Sequence, residues 1–263
     1  MINTIQKGDL EYLVAENISV PHCFTTRLGG VSEGYLGAMN IGMHRGDKPE
    51  NVLKNYAILG DALGFSPEKA VLTKQTHTDV VRIVGEKEHG AGLFAPELTP
   101  CDGLITCTPG TALVVFTADC TPILLHDPVT GAVGAVHAGW RGTAAAIGAK
   151  AVEAMCREFG CKAENIRAAI GPNIGQCCFE TDSDVPDAMI ARYGAAAQPH
   201  IRAVGKKFFV NLKAINALGL ESMGVKNIAV SPLCTACDGT RFWSHRRVGA
   251  NRGSQGAIIV CKE

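Results

Sequence analysis

Three short segments place reactive polar side chains directly beside apolar, strand-like runs. His77 lies in KQTHTDVV, Cys120 in TADCTPILLHDP and His137 in VHAGWRGT. Two imidazoles and one thiolate form a ligand set that suits zinc. Three protein ligands leave one coordination position open, which is typical of a catalytic rather than a structural zinc. The segments therefore predict a catalytic zinc held by these three residues.

The same three residues also have a purely structural interpretation, because they lie far apart in sequence and match no compact zinc signature. Cys120 is then a small buried hydrophobe, and the two histidines are hydrogen-bonded strand residues. His126 is a further candidate ligand, since alternation along a regular strand puts it on the same face as Cys120, although Pro122 argues against a regular strand. The spacing alone leaves these interpretations open.

The remaining cysteines include one C-x-x-C pair, Cys234 and Cys237, and one adjacent pair, Cys177 and Cys178. The C-x-x-C pair could form part of a structural zinc site or a redox pair. Because no second C-x-x-C exists, a loop with incidental thiols is the favoured interpretation. The chain has 11 cysteines but no export signal, so most are expected to be reduced.

Two arginines and one aspartate are candidates for handling substrate. Arg141 follows Trp140 in GWRGT, and together with the N-terminal amides of the next helix it could receive a phosphate. Arg27 lies in the glycine-rich TTRLGGVSEG, which is neither a dinucleotide fingerprint nor a P-loop. For both arginines the alternative is stacking on a ring or capping a loop. Asp119, beside Cys120, is a candidate for orienting the site or transferring a proton.

Strands and helices must position these residues. Short β-rich runs predict strands at 18–25, 70–73, 80–84, 112–117, 122–125 and 133–137, and bounded apolar segments predict helices at 49–63, 143–159 and 212–222. In the second helix an apolar stripe is expected to face a sheet, formed by Ile147, Ala151, Met155 and Phe159. Strands clustered centrally with helices outside favour α+β layers over a βαβ Rossmann domain.

Composition limits the classes of protein. The 263 residues are 46% hydrophobic and contain no linker or repeat, so a single domain over 1–263 is expected. Lys plus Arg and Asp plus Glu are 25 each, so no net charge attracts nucleic acid or an anionic membrane, and a small-molecule partner is expected. The N-terminus lacks the order of a secretory signal and no apolar run reaches membrane-spanning length, which predicts a cytoplasmic protein.

Several segments together resemble the YfiH family, whose members are also called laccase-domain or multicopper polyphenol oxidoreductase proteins and, more recently, purine nucleoside phosphorylases. The resemblance covers nearly the whole chain and rests on FTTRLGGVSEG, MNIGMHRGDKPENV, KQTHTDVV, CDGLIT, TADCTPILLHDP, VHAGWRGT, IGPNIGQCCFE and CTACDGTRFWSHRRVGANRG. The chain departs from the family pattern at Thr78, where glycine is usual, and at His126, where alanine is usual. These departures leave open the pocket shape and whether His126 contacts the metal.

The resemblance implies an α+β fold, a single-domain layered α/β/β/α sandwich with mixed sheets, similar in shape to the catalytic domain of cytotoxic necrotizing factor. It also implies that His77, Cys120 and His137 are zinc ligands, with Cu²⁺ as the alternative ion. The implied reaction is phosphorolysis of adenosine, inosine, guanosine and methylthioadenosine to the base and ribose 1-phosphate or methylthioribose 1-phosphate, with adenosine deamination as a second reaction. The expected partners are purine nucleosides and phosphate, and the expected state is a monomer or small homo-oligomer.

The mechanism expected for phosphorolysis is attack of phosphate on the anomeric carbon, with the phosphate oriented by zinc or by Arg141 and Arg27. For deamination, a zinc-bound water with a pKa of roughly 7 would attack C6 of adenine. One rival is a copper laccase, although such enzymes draw ligands from His-x-His pairs and this chain has 8 histidines and no such pair. Another is a metal-free cysteine hydrolase, with Cys120 as nucleophile and His137 as base. A binding or regulatory module is the non-enzymatic alternative.

Overall fold

The fold of residues 1–262, described by a computed structural model, consists of strands, α-helices and short 3-10 turns. The strands are β1 Ile2–Lys7, β2 Leu10–Ala15, β3 His22–Thr25, β4 Ala70–Leu72, β5 Val81–Ile83, β6 Gly103–Thr106, β7 Ala112–Thr117, β8 Thr121–His126, β9 Val133–Ala138, β10 Arg167–Ile170, β11 Glu180–Thr181, β12 Ile201–Val204, β13 Lys207–Val210, β14 Asn227–Val230 and β15 Gln255–Val260. The α-helices are α1 Pro49–Leu63, α2 Trp140–Ala144, α3 Ile147–Phe159, α4 Asp184–Tyr193, α5 Leu212–Ser222 and α6 His245–Val248.

Two six-stranded mixed sheets form the middle of the molecule. Sheet 1 has the order β1-β2-β3-β15-β7-β4, and sheet 2 has the order β14-β10-β8-β9-β6-β5. Most neighbouring strands are antiparallel, whereas β4 pairs in parallel with β7, β5 with β6, and β10 with β14. The chain passes from sheet 1 to sheet 2 twice, through residues 73–80 and through the short turn 118–120.

Apolar side chains pack in three successive layers around these sheets. The space between the sheets is filled from both sides by residues that include Leu13, Phe24, Val115, Leu104, Leu124 and Ala135. Val52, Tyr56 and Leu59 of α1 cover the outer face of sheet 1, while α3 and Leu220 of α5 cover the outer face of sheet 2. Full burial of a side chain of this size contributes roughly 1.5–3 kcal/mol. The predicted α/β/β/α layering with mixed sheets is confirmed.

The helices predicted at 49–63 and 212–222 are confirmed at both ends. Pro49 occupies the first turn of α1, and Gly64 ends it with φ +76°, a conformation that glycine adopts without steric cost. At the start of α5, the side chain of Asn211 accepts a hydrogen bond from the backbone N–H of Ala214. Local signals were sufficient here because the first-turn proline and the left-handed glycine of α1, and the Asn211 cap of α5, mark helix ends within the local sequence.

The prediction of one helix over 143–159 is wrong. Two helices occupy this region, because α2 ends at Ala144 and Ala146 has a left-handed conformation (φ +56°) before α3 begins. Thr143 is not an N-cap but lies buried within α2, where its Oγ1 accepts a hydrogen bond from Asn216 and its carbonyl accepts one from Tyr193. These long-range contacts set the helix break, so the local pattern could not reveal it.

The apolar stripe of α3 is confirmed, since its buried side chains pack on sheet 2. The predicted strands are confirmed to within one or two residues, except that the first begins at His22 rather than at 18. Pro21, which has no N–H to donate, immediately precedes it.

A three-stranded sheet of order β11-β13-β12 lies outside the main sandwich. It packs with α4 and α5 through Val185, Met189, Val210 and Ile215. Within residues 1–262, no helix combines the length and the apolar character that crossing a bilayer requires.

Candidate metal centre

The three predicted zinc ligands converge where the chain crosses between the sheets. His77 lies in the 73–80 connection, Cys120 ends the 118–120 turn, and His137 lies on β9 in register with Pro122. One potential ligand atom from each of the three lies within 4.8 Å of the other two, and Cys120 Sγ is 3.8 Å from His77 Nε2. The structure therefore brings together all three residues, and their binding of zinc stays a prediction.

The geometry of this cluster fits a tetrahedral metal. Zinc bonds of about 2.0–2.3 Å place a nitrogen and a sulfur ligand about 3.5 Å apart, close to the 3.8 Å between His77 and Cys120. Gly139 leaves the room that this requires, since a Cβ there would lie 2.7 Å from His77 Cδ2 and 3.4 Å from Cys120 Sγ. His77 is exposed, Cys120 is half-buried and all three residues line a cavity, so a fourth ligand can reach the centre.

Backbone strain is concentrated at this centre. His77 has φ +62° and Asp119, the neighbour of Cys120, has φ +94°, values that are uncommon for residues with a Cβ. Such conformations cost of order 1–3 kcal/mol each and persist only where surrounding contacts hold them. At His77 the contact is a hydrogen bond from its backbone N–H to a buried carboxylate. At Asp119 the contacts are the hydrogen bonds that its own carboxylate accepts.

The carboxylate that holds His77 belongs to Asp102, which is fully buried immediately before β6. It accepts hydrogen bonds from the backbone N–H groups of Thr76, His77 and Thr78 and from the Thr78 hydroxyl. It also lies 2.7 Å from His137 Nδ1. A single side chain therefore orients two of the three candidate ligands, as outer-shell carboxylates do in zinc proteins.

The sequence analysis did not single out Asp102, although it noted the CDGLIT segment. An acidic residue directly before an apolar strand was the available signal. Burial would raise the pKa of Asp102, but hydrogen bonds from His137 and Thr78 outweigh it and lower the pKa to about 2. Asp102 is therefore ionised near neutral pH and can accept a hydrogen bond from the Nδ1–H of His137, which would leave His137 Nε2 free to bind a metal.

Cys120 and His137 also influence each other's protonation in the metal-free protein. Burial alone would raise the pKa of Cys120, but the charge of His137 and hydrogen bonds with both histidines lower it to about 6. Burial alone would lower the pKa of His137, but the Cys120 thiolate and Asp102 raise it to about 9. The thiol is thus held as a thiolate near neutral pH, the form that binds metals and acts as a nucleophile.

Asp119 does not line the cavity, and both of its carboxylate oxygens are hydrogen-bonded elsewhere. One oxygen accepts a 2.6 Å hydrogen bond from the Thr235 hydroxyl, and the other accepts a 2.7 Å hydrogen bond from the backbone N–H of Arg246. Of the two roles predicted for Asp119, these contacts favour orienting the site over proton transfer. They tie the turn that carries Cys120 to the 234–246 segment.

The cavity beside the cluster has a volume of about 380 Å³, within the range of small-molecule sites. Arg45 and Arg252 line it together with Ser254. The Arg45 Nε donates to the Ser254 hydroxyl, whereas the buried Nε of Arg252 has no hydrogen-bond partner among residues 1–262. Burial, assisted by the charge of Arg45, lowers the pKa of Arg252 to about 10. Arg45 is exposed and Arg252 is half-buried, and two guanidinium groups at one cavity favour an anionic ligand.

The two arginines predicted to bind phosphate lie elsewhere. Arg27 stacks on Trp243 at 3.8 Å and donates to the carbonyls of Gly37 and Gly239. Arg141 is exposed on α2 and stacks on Trp140 at 4.3 Å. Neither lines the cavity, whereas Arg45 and Arg252, which sequence reasoning missed, do. Arg45 lies in MNIGMHRGDKPENV and Arg252 lies near the end of CTACDGTRFWSHRRVGANRG. The spacing of residues in these segments did not mark either arginine as a site residue.

His126 lies at the other end of β8 from Cys120, paired with Val133 and Arg167. At about 3.3 Å per residue, this places the two residues roughly 20 Å apart along the strand. Burial and the charge of Arg167 lower the pKa of His126 to about 4. The structure therefore separates His126 from the metal-ligand cluster.

Comparison with known proteins supplies independent information. Residues 21–262 match the family model described as multi-copper polyphenol oxidoreductase laccase. A protein of Deinococcus radiodurans named purine nucleoside phosphorylase is 38% identical over 251 residues, covering 95% of this chain and 92% of that protein. Two crystal structures superpose with a TM-score of 0.92 at 33% identity: YfiH of Bacillus licheniformis, covering 97% of both chains, and YlmD of Geobacillus stearothermophilus, covering 99% of both.

Proposed function

This chain belongs to the multi-copper polyphenol oxidoreductase laccase family, as the resemblance to YfiH proteins predicted, and we propose that it is a zinc-dependent purine nucleoside phosphorylase. The proposed substrates are adenosine, inosine, guanosine and methylthioadenosine with phosphate, and adenosine deamination is proposed as a second reaction. Relatives in Deinococcus radiodurans and Bacillus subtilis are named purine nucleoside phosphorylases, which supports the phosphorylase activity. The proposal places this activity in a single cytoplasmic catalytic domain over residues 1–263.

One observation carries the proposal: the cluster of His77, Cys120 and His137 opens into the same cavity as two arginines. A metal-ligand set beside two guanidinium groups suits a reaction between a neutral nucleoside and an anionic co-substrate. A bound zinc would supply Lewis acidity at this position. The soft thiolate and two imidazoles favour zinc or copper over magnesium, and Cu²⁺ is kept as the alternative ion.

Arg252 and Arg45 are proposed to hold the phosphate. The unpartnered Nε of Arg252 supports this role, since a buried donor without a partner costs free energy that an anion would recover. The Ser254 hydroxyl accepts a hydrogen bond from Arg45 Nε and can thereby fix the position of that guanidinium at the cavity. The phosphate is thereby positioned for attack rather than merely attracted.

In the proposed reaction a phosphate oxygen forms a bond to C1′ of the ribose while the bond from C1′ to N9 breaks. The electron pair of that bond leaves with the purine, which takes up a proton. The transition state carries positive charge on the sugar, and the phosphate held by Arg252 and Arg45 stabilises it. Asp102 contributes by fixing His77 and His137, and Asp119 by fixing the turn that carries Cys120.

A metal-free cysteine hydrolase is the second candidate, and the buried His137–Asp102 contact of 2.7 Å favours it. Cys120, His137 and Asp102 have the order of nucleophile, base and orienting carboxylate found in such enzymes. The third candidate, a laccase that uses several coppers, finds less support. Among residues 1–262, two side-chain groups could hold a metal, and neither contains more than two histidines.

The decisive experiment measures adenine release from adenosine with and without phosphate, on protein of known zinc content. The variants are Cys120→Ala and, as a matched control, Cys107→Ser, which changes an exposed cysteine outside the cavity. Phosphate-dependent release that is lost in Cys120→Ala and kept in Cys107→Ser is expected. Wild-type activity that resists chelators but is abolished by alkylation would overturn the zinc mechanism in favour of the hydrolase.

A further inference from the structure

Four cysteines outside the candidate metal centre form a second cluster. Cys177 and Cys178 precede β11, and Cys234 and Cys237 lie in the segment between β14 and α6. Their sulfur atoms all lie within 4.8 Å of one another. The Sγ of Cys237 is 3.6 Å from that of Cys177 and 3.4 Å from that of Cys178. The fold thus joins two cysteine pairs that are more than fifty residues apart in sequence.

These separations match a mononuclear tetrahedral site. Four sulfurs at about 2.3 Å from a zinc ion are about 3.8 Å from each other. A disulfide would need a sulfur separation of about 2.05 Å, and all four cysteines are free. An iron–sulfur cluster, with several irons between its cysteines, holds their sulfurs further apart than a single ion does. One zinc ion therefore fits the spacing best.

The backbone around the cluster is arranged for thiolates. The N–H of Gly175 donates to Cys234 Sγ at 3.1 Å, and the N–H groups of Ala236 and Cys237 also bond to this sulfur. A Cβ at Gly175 would lie 3.1 Å from both Cys177 Sγ and Cys234 Cβ, so only glycine lets the two segments approach without a displacement. Hydrogen bonds to the ligand sulfur are the outer-shell support expected of a metal–thiolate site.

Positive charge surrounds the cluster. The buried ammonium of Lys213 donates to the carbonyls of Ser231 and Leu233, directly before Cys234. Arg246 donates to the carbonyl of Cys178, and Arg247 donates to the carbonyl of Ala236. Four thiolates around one Zn²⁺ carry a net charge of about −2, which these three cations offset.

We propose that Cys177, Cys178, Cys234 and Cys237 bind a second zinc ion with a structural role. The four thiols lose their protons to solvent as the ion binds. The closed set of four protein ligands leaves no position for substrate, which distinguishes this site from the one at Cys120. The sequence analysis favoured incidental thiols here because it looked for a second C-x-x-C, whereas the fold supplies an adjacent pair instead.

The proposed zinc stabilises the two segments that hold Asp119 and the turn carrying Cys120. Thr235 lies between two of its ligands and donates to Asp119, and Thr235 N also bonds to the carbonyl of Asn173, close to the other ligand pair. Arg246, bound to the carbonyl of Cys178, gives its backbone N–H to Asp119. Loss of the ion would free both segments and loosen the turn that carries Cys120.

The test is the zinc content of the full chain, measured by mass spectrometry on protein purified in zinc-containing medium. The wild type and the Cys107→Ser control should hold about two zinc ions per chain. Cys120→Ala and Cys237→Ser should each hold about one, and the double variant should hold none. X-ray absorption on Cys120→Ala should show four sulfur neighbours at about 2.3 Å.

Cys237→His distinguishes loss of a zinc ligand from failure to fold, because three cysteines and one histidine also bind zinc. It should keep the second zinc and a thermal midpoint above that of Cys237→Ser. Wild-type absorption spectra provide a test without any substitution, since they should show about two to three sulfurs per zinc when both sites are filled.

Two results would overturn the proposal: a Cys120→Ala protein without metal, or one whose four cysteines carry iron or form disulfides. The readout is independent of catalysis. If no nucleoside is cleaved while Cys120→Ala retains zinc bound to four sulfurs, the proposed function fails and the structural site stands.

Discussion

His137 and Asp102 form a 2.7 Å hydrogen bond between Nδ1 and Oδ1 while the two side chains are only 3% and 0% exposed. The same carboxylate accepts the backbone N–H of His77. The imidazole orientation of one candidate ligand and the strained backbone of another thus depend on a single buried charge. Removal of that charge should therefore affect metal binding before it affects substrate binding.

Asp102→Asn should weaken zinc binding at the candidate active site by about 10–100-fold, the usual effect of losing an outer-shell carboxylate. The amide can donate to His137 Nδ1 and so favour the wrong tautomer. Zinc affinity would be measured by competition with a chromophoric chelator, with the exposed Asp182→Asn as control. An unchanged zinc affinity in Asp102→Asn would contradict the positioning role.

Arg252→Gln should raise the KM for phosphate by about 10–100-fold, because a charge-assisted hydrogen bond contributes about 1.5–3 kcal/mol. The KM for adenosine should change much less. Initial rates at varied phosphate would be compared with those of Arg141→Gln, which removes an arginine outside the cavity. A larger increase in the KM for phosphate in Arg141→Gln would indicate that Arg141 binds the phosphate, as the sequence predicted.

Zinc removal should make Cys120 reactive towards iodoacetamide, with a rate that rises as the pH passes about 6 and the thiolate forms. Below that pH the thiol is protonated and alkylation should slow about tenfold per pH unit. Zinc should protect the residue at every pH. Labelling would be followed by peptide mass spectrometry in wild type and Cys120→Ser, and a metal-loaded protein that is alkylated as fast as the metal-free one would argue against the ligand role.

His126 should make the protein sensitive to acid. Its pKa is about 4 in the folded state, because burial disfavours the charged ring, and about 6.5 in the unfolded state. The unfolded chain therefore binds more protons between these values, so the free energy of unfolding falls as pH drops through this window, by up to about 3 kcal/mol.

Urea unfolding of wild type and His126→Gln at pH 7 and pH 4.5 would measure this contribution. The loss of stability on acidification should be smaller in His126→Gln, whereas His245→Gln, at an exposed position, should behave as wild type. Equal losses in all three proteins would show that His126 does not titrate between the two states.

Gly139→Ala should lower zinc occupancy and activity together, since its Cβ would lie 2.7 Å from His77 Cδ2 and force that ring away. The backbone at Gly139 has φ −67°, which alanine adopts freely, so the fold itself should not be strained. Zinc content and thermal unfolding would be measured on the same sample. Full zinc occupancy in this variant would mean that His77 can bind the ion from another position.

Sequence patterns were most informative where the determinants are local. The helix at Pro49–Leu63 carries its own start and stop residues, and three predicted strands lie close to a histidine or cysteine that could be named as a candidate ligand. Asp102 and Arg252 could not be found in this way, because their importance arises from contacts with residues distant in the chain. The same holds for the break at Ala146 and for the four-cysteine cluster, whose two pairs lie more than fifty residues apart in sequence.

Strand β15 lies between β3 and β7 in sheet 1, and this position affects the order in which the sheet can form. This strand follows the other fourteen in sequence, yet it joins the two halves of sheet 1. During synthesis β7, which leads into the turn carrying Cys120, lacks this neighbour until residues 255–260 have left the ribosome. We therefore expect the turn carrying Cys120 to reach its final position, and the proposed zinc to bind there, only once residues 255–260 have paired with β7.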